Sequence, residues 1–296
     1  MRLVFAGTAA FAVPSLDALI ATRHELALVI TQPDRPGHRN KITPTPVKQA
    51  ALKHGLHVYQ PDRIRSPESI AQIRWANPEL IVVVAYGQIL PPEVLEIPPR
   101  GVVNVHASLL PRHRGAAPIN QAILEGDEET GVTIMLMDEQ LDHGPILTRK
   151  EVNTGRGEDA QHLTERLACI GADLLVETFD RLDQIVPQPQ DDSAATVSRK
   201  LRKEDGELDW DRPAAEIVRA LRAFRPWPGV TLPFRGRRVK VLEAHSREGT
   251  APPGQVVKVD GDYLYVGTKE GVLVLMNVQL PGGRSMPARA LVANSA

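Results

Sequence analysis

The chain of 296 residues has a single cysteine, Cys169, and few aromatics: five Phe, three Trp and four Tyr. One cysteine excludes a disulfide framework and a cysteine-rich zinc site, and it suits a reducing compartment. So few aromatics exclude a protein that stacks bases along a single nucleic-acid strand. The longest apolar run, residues 80–85, is far short of the ~18–20 residues that span a bilayer. At the N-terminus the apolar run 3–6 is too short for a signal peptide, and Gly7 and then Pro14 interrupt it. These absences predict a soluble, cytoplasmic protein with no membrane partner. The loop after the first apolar run, Gly7-Thr8-Ala9-Ala10-Phe11-Ala12, also lacks the GxGxxG spacing, which argues against a dinucleotide site.

What is present is an ordinary globular composition, 42% apolar and 24% charged. The net charge of −1 argues against an indiscriminate nucleic-acid coat, but it hides an asymmetry. Residues 1–195 carry 18 basic against 25 acidic residues, a net −7; residues 196–296 carry 17 against 11, a net +6. An acidic body with a basic C-terminal third points to a polyanion met by the tail.

Short, continuous apolar runs at 3–6, 26–31, 80–85 and 102–105 alternate with helical patterns at 14–21, 46–54 and 67–75. Continuous rather than alternating runs imply strands buried on both faces, hence a mostly parallel, Rossmann-like sheet covered by helices. Such sheets bind ligands beyond the C-terminal ends of their strands. Residues 6–8, 31–33, 85–87 and 105–107 are therefore expected to converge on one crevice. Two more strands, 131–137 and 146–152, flank a loop, and a long helix follows over about 158–185. Residues 187–193, Pro-Gln-Pro-Gln-Asp-Asp-Ser, read as linker. Beyond them a helix over 213–224 precedes short strands at 239–242, 255–259, 263–267 and 272–278, the pattern of a small OB-like β-barrel. The expected organisation is an α/β catalytic domain over 1–186, a linker over 187–207 and a C-terminal β-barrel over 208–296.

Asn104 and His106 stand two apart at the end of an apolar strand, so their side chains share a face at the ligand-binding edge. Buried polar groups there need partners. Together they offer a hydrogen-bond donor and a titratable imidazole to one reacting atom. The acidic loop Asp138-Glu139-Gln140-Leu141-Asp142-His143 can supply a carboxylate that orients His106, with Asp138 and Glu139 as competitors that spacing alone does not separate. No i,i+4 histidine pair or cysteine ligand accompanies them, and no metal is expected. The 34–65 region is locally basic, and its loop leaves a strand end beside the crevice, where Lys and Arg meet phosphate.

The run Asn-Val-His-Ala-Ser-Leu-Leu-Pro at 104–111, with Arg-His-Arg-Gly-Ala-Ala-Pro at 112–118, resembles the signature of the folate-dependent formyltransferases. Phe-Ala-Gly-Thr at 5–8, Gln-Pro-Asp-Arg-Pro at 32–36, Leu-Asp-His-Gly-Pro at 141–145 and Pro-Trp-Pro-Gly at 226–229 extend the resemblance over nearly the whole chain. It implies formyl transfer from 10-formyltetrahydrofolate, as co-substrate, to the α-amine of methionine on initiator tRNA. A monomer is expected. The family's catalytic Asn, His and Asp fall on Asn104, His106 and Asp142. Its folate-binding stretch falls on Ser108, Leu109, Leu110 and Pro111, with Tyr86 and Gly87 from a neighbouring strand end. Its tRNA-approaching loop places Arg39 and Lys41 against the acceptor end. The sugar-nucleotide formyltransferases share the same centre and are the alternative reading. Within the loop, His38, Asn40 and Ile42 depart from the family's usual Gly, Gly and Lys.

Overall fold

The computed structural model describes residues 1–36 and 42–293. Two compact units emerge. The first comprises Met1–Pro118, Glu129–Asn153 and Thr164–Ser198; the second comprises Ile119–Glu128, Thr154–Leu163 and Arg199–Ala296.

The first unit is built on seven strands: β1 (Arg2–Gly7), β2 (Glu25–Ile30), β3 (Val58–Tyr59), β4 (Leu80–Val84), β5 (Val102–His106), β6 (Glu129–Leu136) and β7 (Ile146–Asn153). Their order across the sheet is β7-β6-β5-β4-β1-β2-β3. Strands β1 to β5 pair in parallel, whereas β6 runs antiparallel to both β5 and β7. The apolar runs behave as their continuity requires, for β4 and β5 are buried at every position.

Helices α1 (Val13–Ile20), α2 (Pro46–Lys53), α3 (Pro67–Ala76), α4 (Pro92–Leu95) and α5 (Pro118–Glu125) lie between these strands in sequence. The starts of α2 and α3 are written locally. Thr45 and Ser66 accept from the amides of Lys48 and Ser69, and a proline follows each cap, where a missing N–H costs nothing. After β1 the chain moves outward through β2 and β3, then returns to the other side of β1 as β4. That reversal is the switch point at which open α/β sheets form a crevice.

Val4, Ala6, Ile81, Val83 and Val102 share one core cluster with Ile73 of α3 and Val94 of α4. Alternation along β5 therefore puts Asn104 and His106 on the face of Val102, and Val103 and Val105 on the opposite face. That opposite face is covered by α6 (Ala160–Asp180), where Gly171 permits close approach: a Cβ there would stand 3.0 Å from Val105 and 3.3 Å from Val132.

Residues 187–198 are fastened to the first unit. Gln188 bridges to Ile146, and Val197–Ser198 pair in parallel with Arg114–Gly115.

In the second unit, α7 (Ala214–Ala223) buries Ala214, Ile217, Ala220 and Ala223 along one stripe. The rest is an antiparallel sheet of β8 (Val230–Phe234), β9 (Arg237–Arg247), β10 (Val256–Asp260), β11 (Tyr263–Gly267), β12 (Val272–Gln279) and β13 (Ser285–Pro287). The main path runs β8-β9-β12-β11-β10, and β13 pairs with β12. A parallel-dominated α/β unit followed by a small antiparallel β unit is the fold class expected from sequence. Among the described residues, no helix is long and apolar enough to cross a membrane.

Candidate active site

Strand β5 ends with Asn104 and His106 nearly out of solvent, 9% and 5% exposed. Both are committed to partners. His106 Nε2 lies 3.0 Å from the carbonyl oxygen of His113, and a carbonyl can only accept, so that nitrogen carries a proton. The ring is thereby turned so that Nδ1 faces Asp142, at 3.6 Å from Oδ2. Asn104 Nδ2 donates to Asp142 Oδ1 at 3.3 Å. The backbone amide of Gly115 donates to Asp142 Oδ2 at 2.8 Å. Asn104, His106 and Asp142 thus meet at the strand end as one polar cluster in an otherwise apolar setting.

Asp142 reaches β5 because the β6–β7 loop folds back on itself. The neck of the loop closes where the Leu136 amide donates to the Pro145 carbonyl at 2.9 Å. Gly144 makes that closure possible, since a Cβ there would sit 2.0 Å from the Leu136 oxygen. Asp142 takes a left-handed backbone, φ 49°, which Asp tolerates better than most residues. Gly115 is fixed by the same logic at φ +114°, with the Ser198 carbonyl 2.3 Å from where its Cβ would be. Leu141, next to Asp142, is left 63% exposed at the rim.

Around this cluster a second set of contacts holds the loop. Gln190 Nε2 donates to the carbonyls of Asp142 at 2.9 Å and Gly144 at 2.8 Å. Gln190 Oε1 accepts from Arg114 Nε at 3.0 Å, and Arg114 also pairs with Asp192 at 2.8 Å. His143 joins Asp138 and Asp192. The hydrogen bond it donates to Asp138 is the main cause that raises its pKa above the ordinary imidazole value, with Asp192 adding to it. The Arg114 guanidinium holds the Asp192 carboxyl below its usual range.

The four residues after His106 and Ala107 are mostly spent on the chain itself. Ser108 donates to the Arg112 carbonyl at 2.6 Å, and its own carbonyl accepts from Thr133 Oγ1 at 2.7 Å. Leu110 is fully buried, leaving Leu109 and Pro111 half-buried. Tyr86 lies within the core cluster, its hydroxyl has no partner among the described residues, and burial pushes its pKa up. Its backbone carbonyl accepts from Thr8 Oγ1 at 2.7 Å, which ties the ends of β1 and β4 together; Gly87 is exposed. Arg39 and Lys41 lie outside the described residues.

Residues 1–179 match the formyl transferase family, and residues 200–295 match the formyl transferase C-terminal domain. The chain belongs to the formyl transferase family. It is 48% identical over 295 residues to the methionyl-tRNA formyltransferase of Chromobacterium violaceum, covering 99% of this chain and 96% of that one. With the methionyl-tRNA formyltransferase of Trichlorobacter lovleyi the identity is 45% over 295 residues, covering 99% and 93%. Solved structures share the fold at lower identity. The N-formyltransferase from Helicobacter canadensis, solved with folinic acid and dTDP-3-aminofucose, has a TM-score of 0.68 at 15% identity, covering 93% of this chain and 98% of that one. HypX from Aquifex aeolicus, solved with tetrahydrofolic acid, has a TM-score of 0.64 at 18% identity over 98% of this chain. This formyl transferase spans about half of HypX, 47% of its length.

The sequence did not point to the Gly115 amide, the His113 carbonyl or Gln190. The first two are backbone groups, whose roles no side-chain type announces. Gln190 sits in a proline-rich stretch whose composition reads as linker. The signals for them were the glycine at 115 and the density of Gln and Asp over 188–192.

Proposed function

We propose that the chain transfers the formyl group of 10-formyltetrahydrofolate to the α-amine of methionine on initiator tRNA. The observation that carries the reading is the convergence of Asn104, His106 and Asp142 at the end of β5, in a chain 45–48% identical to methionyl-tRNA formyltransferases over almost its full length.

The amine nitrogen attacks the formyl carbon, giving a tetrahedral species with oxyanion character. Collapse breaks the bond from carbon to N10 of the folate. The amine loses one proton and N10 gains one, so the site has only to relay a proton. Asn104 uses one amide N–H on Asp142 and has a second for the oxyanion. With Nε2–H held by the His113 carbonyl, the imidazolium form of His106 donates through Nδ1. Asp142 supports that charge from 3.6 Å and is itself held by Gly115. Donors set in place beforehand in a dry site stabilise such an oxyanion without reorganisation.

We assign folate binding to the loop of Ser108, Leu109, Leu110 and Pro111, with Tyr86 and Gly87. Half-buried Leu109 and Pro111 offer apolar contact, while backbone groups near Tyr86 and Gly87 offer polar contact. tRNA contact falls to Arg39 and Lys41 and to the exposed Arg235, Arg237, Lys258 and Arg289 of the second unit. Catalysis is assigned to the domain over 1–186 and tRNA binding to the domain over 208–296, in a cytoplasmic monomer; of the expected linker 187–207, residues 187–198 lie in the first unit.

The test offers 10-formyltetrahydrofolate with either methionyl-initiator tRNA or an amino-sugar nucleotide. Formylation of the tRNA is the expected outcome. Formylation of the sugar nucleotide alone would overturn the reading.

A further inference from the structure

Outside the Asn104, His106 and Asp142 cluster, one histidine stands between two carboxylates. His143 Nδ1 lies 2.7 Å from Asp138 Oδ2, and Nε2 lies 3.4 Å from Asp192 Oδ2. A neutral imidazole has one N–H and can donate to only one of them. The imidazolium donates to both.

Asp138 belongs to the same loop as His143, and Asp192 comes from the segment fastened alongside. The other groups facing this bridge also tie it to Asp142. Asp192 takes Arg114 on its second oxygen, Arg114 donates to Gln190, and Gln190 holds the carbonyls of Asp142 and Gly144. Asp138 Oδ1 accepts from the Gln140 amide at 2.9 Å, two residues before Asp142. Asp142 is thus braced from both directions along the chain. The two carboxylates, Asp138 and Asp192, face two cations, Arg114 and the imidazolium. When His143 is neutral, one carboxylate loses its imidazole N–H, keeping only Arg114 or the Gln140 amide, and the charges no longer balance.

We propose that His143 is a positioning residue: its imidazolium bridges Asp138 and Asp192 and so locks the left-handed turn that presents the Asp142 carboxylate to His106 and Asn104. This rests on the assignment of Asp142 to formyl transfer. His143 itself touches no reacting atom. The bridge is complete below the pH at which the imidazole loses its proton and weakens above it.

The experiment uses the full chain and compares wild type with His143→Gln and Asp192→Asn across about pH 5.5 to 9. The ratio of wild-type to variant kcat/KM is taken at each pH, which cancels the ionisation of the substrate amine. Gln imitates at best the neutral ring. The ratio is expected to be roughly tenfold at the acid end, short of the ~10²-fold that a 1 Å misplacement can cost, and to fall toward one at the alkaline end. The deficit should lie in kcat rather than in the KM for the folate. A ratio that stays flat with pH, as for a residue that only adds stability, would overturn the proposal. NMR titration of the His143 ring supplies a readout independent of activity. Its midpoint should lie above the ordinary value of ~6.5 and move down in Asp138→Asn; an ordinary midpoint that ignores that substitution would overturn the bridge. If wild type formylates no tRNA, the functional reading fails, and the titration alone still decides whether the bridge exists.

Discussion

The Nε2 of His106 and the carbonyl oxygen of His113 are 3.0 Å apart, and this contact decides which nitrogen of the ring is free for chemistry. Nε2–H donates to that carbonyl, and Nδ1 is the ring nitrogen that faces Asp142. Under the proposed function, the amide of Asn104 and this one nitrogen are the donors that a reacting carbonyl would meet, with the carboxylate behind them.

A glutamine at 106 separates folding from catalysis. Its amide nitrogen falls near the position of Nε2, so His106→Gln keeps the bond to His113 while removing Nδ1. We expect a melting temperature close to that of wild type and turnover lower by about 10²–10³, the usual cost of losing one oxyanion donor. Single-turnover kinetics alongside thermal melting checks this. Wild-type turnover in the glutamine variant would remove His106 from the reaction.

Asp142→Asn is nearly isosteric yet wrong in polarity. An amide NH2 at 142 confronts either the Gly115 amide or the Asn104 amide, both of which already donate to this residue. An unpaired buried donor costs about 1–3 kcal/mol. If Asn104 flips to relieve the conflict, its N–H groups turn away from the reaction instead. Turnover therefore falls by about 10²-fold in both cases. Urea unfolding distinguishes the two, because only the unrelieved conflict lowers stability.

Much of this was legible from the chain alone, and the exceptions have physical causes. Strands β1, β4 and β5 announced themselves because burial on both faces forces unbroken apolar runs. Asn104 and His106 stood out as polar residues closing such a run. By contrast, β3 is only two residues long, Val58–Tyr59, too short for any periodicity. β8 contains Pro233, which argues against a strand, but β8 lies at the end of its sheet, where a missing N–H is tolerated. The choice of carboxylate illustrates a limit of another kind. Spacing left Asp138 and Glu139 as competitors and the family resemblance pointed to Asp142; the fold turns Asp142 toward β5 and Asp138 toward His143.

Gly115→Ala tests how closely the chain is threaded behind the cluster. The new Cβ would stand 2.3 Å from the Ser198 carbonyl, at a φ of +114° that disfavours any side chain. The backbone strain alone costs about 1–3 kcal/mol, before the clash is counted. As residue 115 shifts, its amide leaves Asp142, so turnover should fall along with stability. A variant as stable and active as wild type would contradict the fastening of residues 197–198 to 114–115.

The pair of Lys48 and Asp34 gives an acid-side prediction. Lys48 Nζ lies 2.5 Å from Asp34 Oδ2, and Gln60 Nε2 donates to Oδ1 at 2.8 Å. The hydrogen bond from Lys48 is the largest cause of the lowered Asp34 pKa. Because the folded value lies below the unfolded one, the stabilisation is present above the unfolded value of ~3.9 and is lost as pH falls through the folded value. Wild type should therefore melt above Asp34→Asn at neutral pH, and the gap should close as the pH drops below about 4. A gap independent of pH would mean that the substitution acts through packing instead.

The basic loop makes the last prediction, and it concerns salt. If Arg39 and Lys41 neutralise tRNA phosphates, each such pairing releases counterions, and affinity falls with ionic strength in proportion to their number. Replacing both with alanine should raise the KM for methionyl-tRNA and flatten the plot of log affinity against log salt by about 0.7–0.9 for each phosphate no longer neutralised. The KM for the folate should not move, because the proposed folate site is the loop of residues 108–111 with Tyr86 and Gly87. His38, Asn40 and Ile42, which depart from the family's usual loop, sharpen the expectation: with fewer lysines in the loop, a larger share of the salt dependence falls to Arg39 and Lys41 and to the basic residues of the second unit. An unchanged slope in the double variant would shift tRNA recognition to that unit altogether, where Arg235, Arg237, Lys258 and Arg289 are the residues to replace next.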